Sequence, residues 1–276
     1  MPRVWRTGGL WGVSPALPMS TLAKRIVRRL FRRSGGSDHG RARPTAEVLA
    51  AMDPAYTQAL ISMYHGEPQL GSDGQRHEID RNTAIAPEQG LWLYNHCLAA
   101  KPKATLEIGM AYGYSTLYFL AAMARNQMGR HTSIDPFQRE AWHGIGLAHA
   151  HAHLPAGGAD TSFRLIEERS DRAAVDLARS GDLFDLIFID GNHRFDDVLV
   201  DFYLTAPLCA VGGCIVFDDM WMRSIRTVAS FVRTNRKDFV ELGGTHCNVC
   251  AFQKTGEDKR EWNDFADFVV APEQAG

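Results

Sequence analysis

From residue 104 to residue 217 the chain alternates short apolar runs with longer segments of helical periodicity, and this rhythm constrains the fold more than any other feature. The apolar runs are 105–108, 131–134, 163–166, 186–189 and 214–217. Each is short and nearly free of polar alternation, as strands buried on both faces of a parallel sheet are. Residues 115–125, 142–153, 171–180 and 198–208 read as the helices between them. Such repetition predicts an α/β domain with a doubly wound, mostly parallel sheet. Two later apolar segments, 239–242 and 248–253, lie close together and predict an antiparallel pair at one edge.

Ahead of this pattern, residues 46–64 and 87–100 read as an N-terminal helical segment, the second helix ending before Lys101-Pro102. The polar stretch 66–82 between them is a loop long enough to close over a site. Residues 1–43 differ again, with ten Lys and Arg against one acid, Asp38. The expected organisation is a basic, disordered tail at 1–43, a helical lid or cap at 44–100 and the sheet domain at 101–276. Within the tail, residues 22–33 place Ile26, Val27, Leu30 and Phe31 on one side, flanked by arginines. That pattern suits weak contact with a membrane surface or a transit peptide; a solvated tail is the preferred reading.

The net charge of -2 hides this asymmetry: the chain after residue 43 holds 20 basic and 31 acidic residues. An acidic body argues against nucleic acid as a partner. No apolar run approaches the roughly 18 residues of a membrane helix, so no transmembrane segment is expected. Cys209 and Cys214 belong to apolar surroundings and read as free thiols of a reducing compartment, hence a cytoplasmic location. A homo-oligomer is left open.

The first strand runs into Glu107-Ile108-Gly109-Met110-Ala111-Tyr112-Gly113-Tyr114-Ser115. Glycines between a strand and a helix let the backbone approach a ligand closely. Here they stand at i and i+4, with Ala111 at i+2, whereas a dinucleotide fingerprint needs i, i+2 and i+5. Glu107 would repel a pyrophosphate but suits a cationic ligand such as the sulfonium and ammonium of S-adenosylmethionine. The run Glu-x-Gly-x-x-x-Gly-Tyr-Ser resembles the first motif of class I S-adenosylmethionine-dependent methyltransferases. It is most similar to their O-methyltransferase branch, which includes the catechol and macrolide-sugar enzymes. The resemblance covers roughly residues 85–255 and implies a Rossmann-like domain. It implies cofactor contacts at Glu107, Gly109, Ala111, Gly113, Ser115 and Asp190. Asp135, at the end of the second strand, is placed to accept from ribose hydroxyls, and the resemblance implies the same role. It puts Ser170 and Asp171 at the adenine; Ser170 reads equally well as the N-cap of the following helix.

The fourth strand ends in Asp190-Gly191-Asn192-His193 and the fifth in Asp218-Asp219. Three carboxylates at the ends of two neighbouring strands repel one another and call for a hard divalent cation such as Mg²⁺. The resemblance implies the same ligand set, Asp190, Asp218 and Asp219. Asp219 stands where the catechol type has Asn, a departure toward the macrolide-sugar type. His193 falls where the catechol type has a lysine base and the sugar type a histidine, so His193 and Asp190 are the catalytic candidates. The expected function is transfer of a methyl group to a hydroxyl of a small molecule, a sugar or natural product. The alternatives are a metal-independent or N-methylating relative and an inactive cofactor-binding protein. Two patterns read as decoys. His149 and His153 share a helix face without further zinc ligands, and Cys247-x-x-Cys250 has no second cysteine pair.

Overall fold

The computed structural model describes residues 49, 52–154 and 161–271; the basic tail and its amphipathic stretch lie outside the described residues. Residues 42–276 belong to one compact unit. Helix α1 spans Pro54–His65. Its start is set by Asp53, whose side chain accepts from Ala55 N at 2.9 Å, and by Pro54, which pre-orders the first turn. This Asp-Pro start breaks the longer helix expected over 46–64. A small antiparallel hairpin, β1 (Gln69–Leu70) and β2 (Arg76–His77), occupies the predicted loop. Helix α2 is Pro87–Ala100.

The sheet domain then follows as β3 (Ala104–Ile108), α3 (Tyr114–Asn126), β4 (Gly129–Ile134), α4 (Ile145–Ala152), β5 (Thr161–Ile166), α5 (Ser170–Ser180), β6 (Phe184–Ile189), α6 (Phe195–Thr205), β7 (Cys209–Phe217), α7 (Arg223–Asn235), β8 (Phe239–His246) and β9 (Val249–Lys254). Helix α4 begins later than expected because His143 and Gly144 take left-handed backbone, with φ of 54° and 65°. Helix α7, absent from the sequence reading, carries Ile225, Val228, Ala229 and Val232 on its buried face. The order across the sheet is β5-β4-β3-β6-β7-β9-β8. The first five of these strands pair in parallel, and β9 joins β7 and β8 antiparallel, which is the predicted edge pair.

Both faces of the sheet are covered, so most of β6 and β9 and the second half of β7 are apolar, while the polar residues of β3 and β4, Thr105, Glu107, His131, Thr132 and Ser133, are buried. Leu186 and Phe188 of β6 point to the side of α1, α2 and α3, while Ile187 and Ile189 point to that of α5, α6 and α7. The N-terminal helices are part of the first of these cores. Tyr114 Oη donates to Met63 O at 2.9 Å, and the Tyr64 and Tyr118 hydroxyls meet at 3.2 Å. No helix among the described residues is long and apolar enough to cross a membrane.

Candidate active site

The candidate residues gather at the carboxyl ends of β3, β4, β6 and β7, where the order reverses between β3 and its neighbours β4 and β6. Open α/β sheets bind ligands at such a switch point. The backbone places the acids one residue past each strand. Asp135 N donates to Ile166 O, Asp190 N to Ile108 O and Asp218 N to Ile189 O, so the parallel ladder continues into the loops.

The loop after β3 is tight, with φ of 91° at Gly109, 46° at Ala111 and 87° at Gly113. A Cβ on Gly109 would overlap the Asp190 carbonyl, and one on Gly113 would lie 2.9 Å from Gly146 Cα. The glycine loop is therefore pressed directly against the β6 loop that carries Asp190. Asp135 steadies it: Oδ2 accepts from Ala111 N and Oδ1 from Phe137 N, both at 2.8 Å. Burial raises the Asp135 carboxyl above its ordinary range despite these donors.

Glu107 and Ser115 face inward. Glu107 is fully buried and accepts from Ser115 Oγ at 2.8 Å and from Thr116 and Ser133 hydroxyls at 2.5 Å. His131 Nε2 lies 3.1 Å away. Burial pushes the Glu107 carboxyl up, but His131 and the hydroxyls outweigh it and hold the group below its usual range. The carboxylate thus braces the loop from beneath. Ser170 begins α5, whose N-cap is Arg169; its hydroxyl pairs with Asp201 rather than capping the helix.

On the reaction side, Asp190, His193 and Asp219 each offer a ligand atom, all within 4.8 Å of one another. His193 Nε2 is 2.9 Å from Asp219 Oδ2 and 3.4 Å from Asp190 Oδ1. Both contacts become ion pairs when the ring is protonated. All three side chains keep some access, 16% exposed for Asp190, 21% for Asp219 and 27% for His193. Burial, reinforced by Asp219, raises Asp190 to about 6. Burial also opposes charge on His193, yet the two carboxylates raise its ring to about 10. Asp219 is buried too, but His193, Trp221 and Asn248 hold it below its ordinary value. Asp218 stands somewhat apart from the triad. It is almost wholly buried, pushed well up by burial and by the neighbouring acids, and its Oδ1 accepts from Gln89 Nε2.

Sequence reasoning missed three supports. Gln89 reaches Asp218 from α2, 129 positions away. Trp221 Nε1 and Asn248 Nδ2 donate to Asp219 Oδ1 at 2.9 and 3.2 Å and hold its left-handed backbone, φ 52°. Asn248 had the one available signal, a polar residue at the turn between two edge strands; Gln89 had none. The decoys resolve as structure. His149 and His153 share a face at 5.6 Å between ring centres, but His149 binds Gln69, and burial lowers it to about 4. Cys247 is exposed in the turn, whereas Cys250 is buried and donates to Glu241 at 3.0 Å. Cys209 and Cys214 are buried free thiols, as expected.

Residues 106–220 match the family described as a methyltransferase domain, a stretch that contains every candidate from Glu107 to Asp219. Among solved structures, the chain is similar to the S-adenosylhomocysteine-bound methyltransferase PaMTH1 of Podospora anserina. The TM-score is 0.52 at 17% identity, over 88% of this chain and 100% of that one. It is similar also to the O-methyltransferase TomG of Streptomyces achromogenes, solved with S-adenosylmethionine, with a TM-score of 0.52 at 19% identity over 74% and 91% of the two chains. In sequence it is 26% identical over 144 residues to the uncharacterized protein y4gI of Sinorhizobium fredii, a stretch that is 49% of this chain and only 14% of that one. Residues 106–220 thus carry a methyltransferase domain, set in the sheet of order β5-β4-β3-β6-β7-β9-β8. Its fold is the Rossmann-like one that TomG also has.

Proposed function

We propose that this protein transfers the methyl group of S-adenosylmethionine to a hydroxyl of a small molecule, a sugar or natural product, with a divalent ion, Mg²⁺, at the reaction side. The observation that carries the reading is the meeting of Asp190, His193 and Asp219 beside a glycine loop that touches Asp190. A methyl donor held by the loop and an oxygen held by the acids would then be neighbours. TomG, an O-methyltransferase of similar fold, supports oxygen as the acceptor.

The donor set fits a hard cation. Three carboxylates converge, two of them forced up by burial and mutual repulsion, with His193 as the cation beside them. Asp190 and Asp219, with Asp218 behind them, would hold the ion; bound there, it would lower the pKa of an acceptor hydroxyl and orient it. The chain's own residues do the rest. Gly109, Ala111 and Gly113 keep the loop close enough to grip the cofactor, with Glu107 and Ser115 bracing it and Asp135 offering its acid to the ribose. Ser170 stands at the start of α5 on the adenine side. His193, freed from its two acids, would accept the hydroxyl proton. Holding donor and acceptor in line supplies much of the rate. Residues 44–100 serve as the cap over this site, and the setting is cytoplasmic. The test is transfer of tritiated methyl to a panel of sugars and phenols with Mg²⁺. Loss of transfer in EDTA and its return with Mg²⁺ are expected. Full activity in EDTA would leave methyl transfer standing and remove the ion.

A further inference from the structure

Asp218 is gripped from outside the reaction cluster, by a side chain of the cap. Gln89 and Asp218 are both buried, 4% and 3% exposed. The Gln89 amide is fixed from both ends: Oε1 accepts from Ala86 N at 2.5 Å, and Nε2 donates to Asp218 Oδ1. A flipped amide would set oxygen against a carboxylate and NH₂ against a backbone N–H, so one orientation satisfies both contacts. The first contact is the returning half of a capping box, which ties Gln89 to the start of α2. The second lands on an acid that Asp190 and Asp219 would otherwise repel.

We propose that Gln89 is a positioning residue: by engaging Oδ1 it fixes the Asp218 carboxylate, which also accepts from the Asp219 backbone N–H, directly behind the acids Asp190 and Asp219 that would hold the divalent ion. The inference rests on the metal-assisted reading of the site. Its consequence is that the first turn of α2 and the reaction-side carboxylates move as one body. Residues behind metal ligands typically change metal affinity by 10- to 100-fold when removed.

Mn²⁺, titrated into the full chain and followed by electron paramagnetic resonance, reads the effect without any acceptor. Gln89→Met should weaken Mn²⁺ binding about tenfold and leave S-adenosylhomocysteine affinity within about twofold. In an Asp218→Asn background, Asp190, His193 and Asp219 still offer ligand atoms. There Gln89→Met should cost little more, because both changes act through one carboxylate; a general loosening of α2 would cost the same in both backgrounds. Gln89→Asn stays polar and can still cap the helix but falls one methylene short of Asp218. It should lose as much affinity as Gln89→Met while keeping the fold. Unchanged Mn²⁺ affinity in the Gln89 variants, or equal losses in the two backgrounds, would overturn the positioning role and leave the metal reading intact. A wild-type protein that binds no Mn²⁺ overturns both.

Discussion

At the scale of residues, His193 and a divalent ion compete for the same carboxylate oxygens. With no ion, Asp190 and Asp219 hold the imidazole protonated to about pH 10, the opposite of what a base needs. An ion on those acids takes over as counter-charge, and the ring loses its reason to keep the proton. The sign follows: a ring pKa that is high without the ion and lower with it means that binding releases a proton through neutral pH. Mg²⁺ affinity measured by calorimetry should therefore rise from pH 7 to pH 9, by up to about tenfold per unit, and His193→Ala should reduce that slope. An affinity independent of pH would show that the ring is not displaced. Asp135 makes a different prediction. Its oxygens already hold Ala111 N and Phe137 N, so Asp135→Ala removes both a ribose acceptor and a prop of the loop. S-adenosylhomocysteine binding should weaken by about 1–3 kcal/mol; calorimetry showing equal affinity would remove Asp135 from the site.

At the scale of elements, the loops at the strand ends carry the most demanding geometry. Gly109 and Gly181 both have positive φ, 91° and 73°, but only Gly109 is crowded, by Asp190 backbone. Gly181→Ala should cost about 1–2 kcal/mol, the strain of a left-handed alanine. Gly109→Ala adds a backbone overlap, so its melting temperature should fall well below that of Gly181→Ala in a scanning fluorimetry comparison. Equal midpoints would mean that the β3 and β6 loops are not packed as described. These elements also show what was legible in advance. β6, β7 and β9 follow from apolar runs, because burial on both faces leaves little choice of side chain, whereas β4, with buried His131, Thr132 and Ser133, follows from its place in the alternation of strands and helices. The acids Asp135, Asp190, Asp218 and Asp219 could be placed because they directly follow those strands. Helix α7 was missed although Ile225, Val228, Ala229 and Val232 recur at helical spacing, with Arg223, Arg226 and Arg233 off that face. The grip of Gln89 on Asp218 could not be read, since the two are 129 positions apart, and that of Asn248 on Asp219 had only the weak signal of a polar residue at a turn. The inward turn of Glu107 was hidden likewise: its partner His131 sits on the next strand.

At the scale of the whole molecule, the charge is divided between a basic tail and an acidic body. Residues 42–276 form a unit with its own two-sided core, in which Leu49 is already fully buried. Deleting residues 1–41 should leave the melting temperature within about 2 °C, less than 1 kcal/mol for a domain of this size; a larger loss would show that the tail contributes to the fold. The central claim is that this unit is built around S-adenosylmethionine. The most direct measurement is calorimetric titration of the full chain with S-adenosylhomocysteine, the demethylated product. The account predicts one-to-one binding with a Kd between about 1 μM and 1 mM, the usual range for enzyme ligands, weakened by Asp135→Ala and by Gly109→Ala. No binding of either S-adenosylhomocysteine or S-adenosylmethionine at millimolar concentration would contradict it.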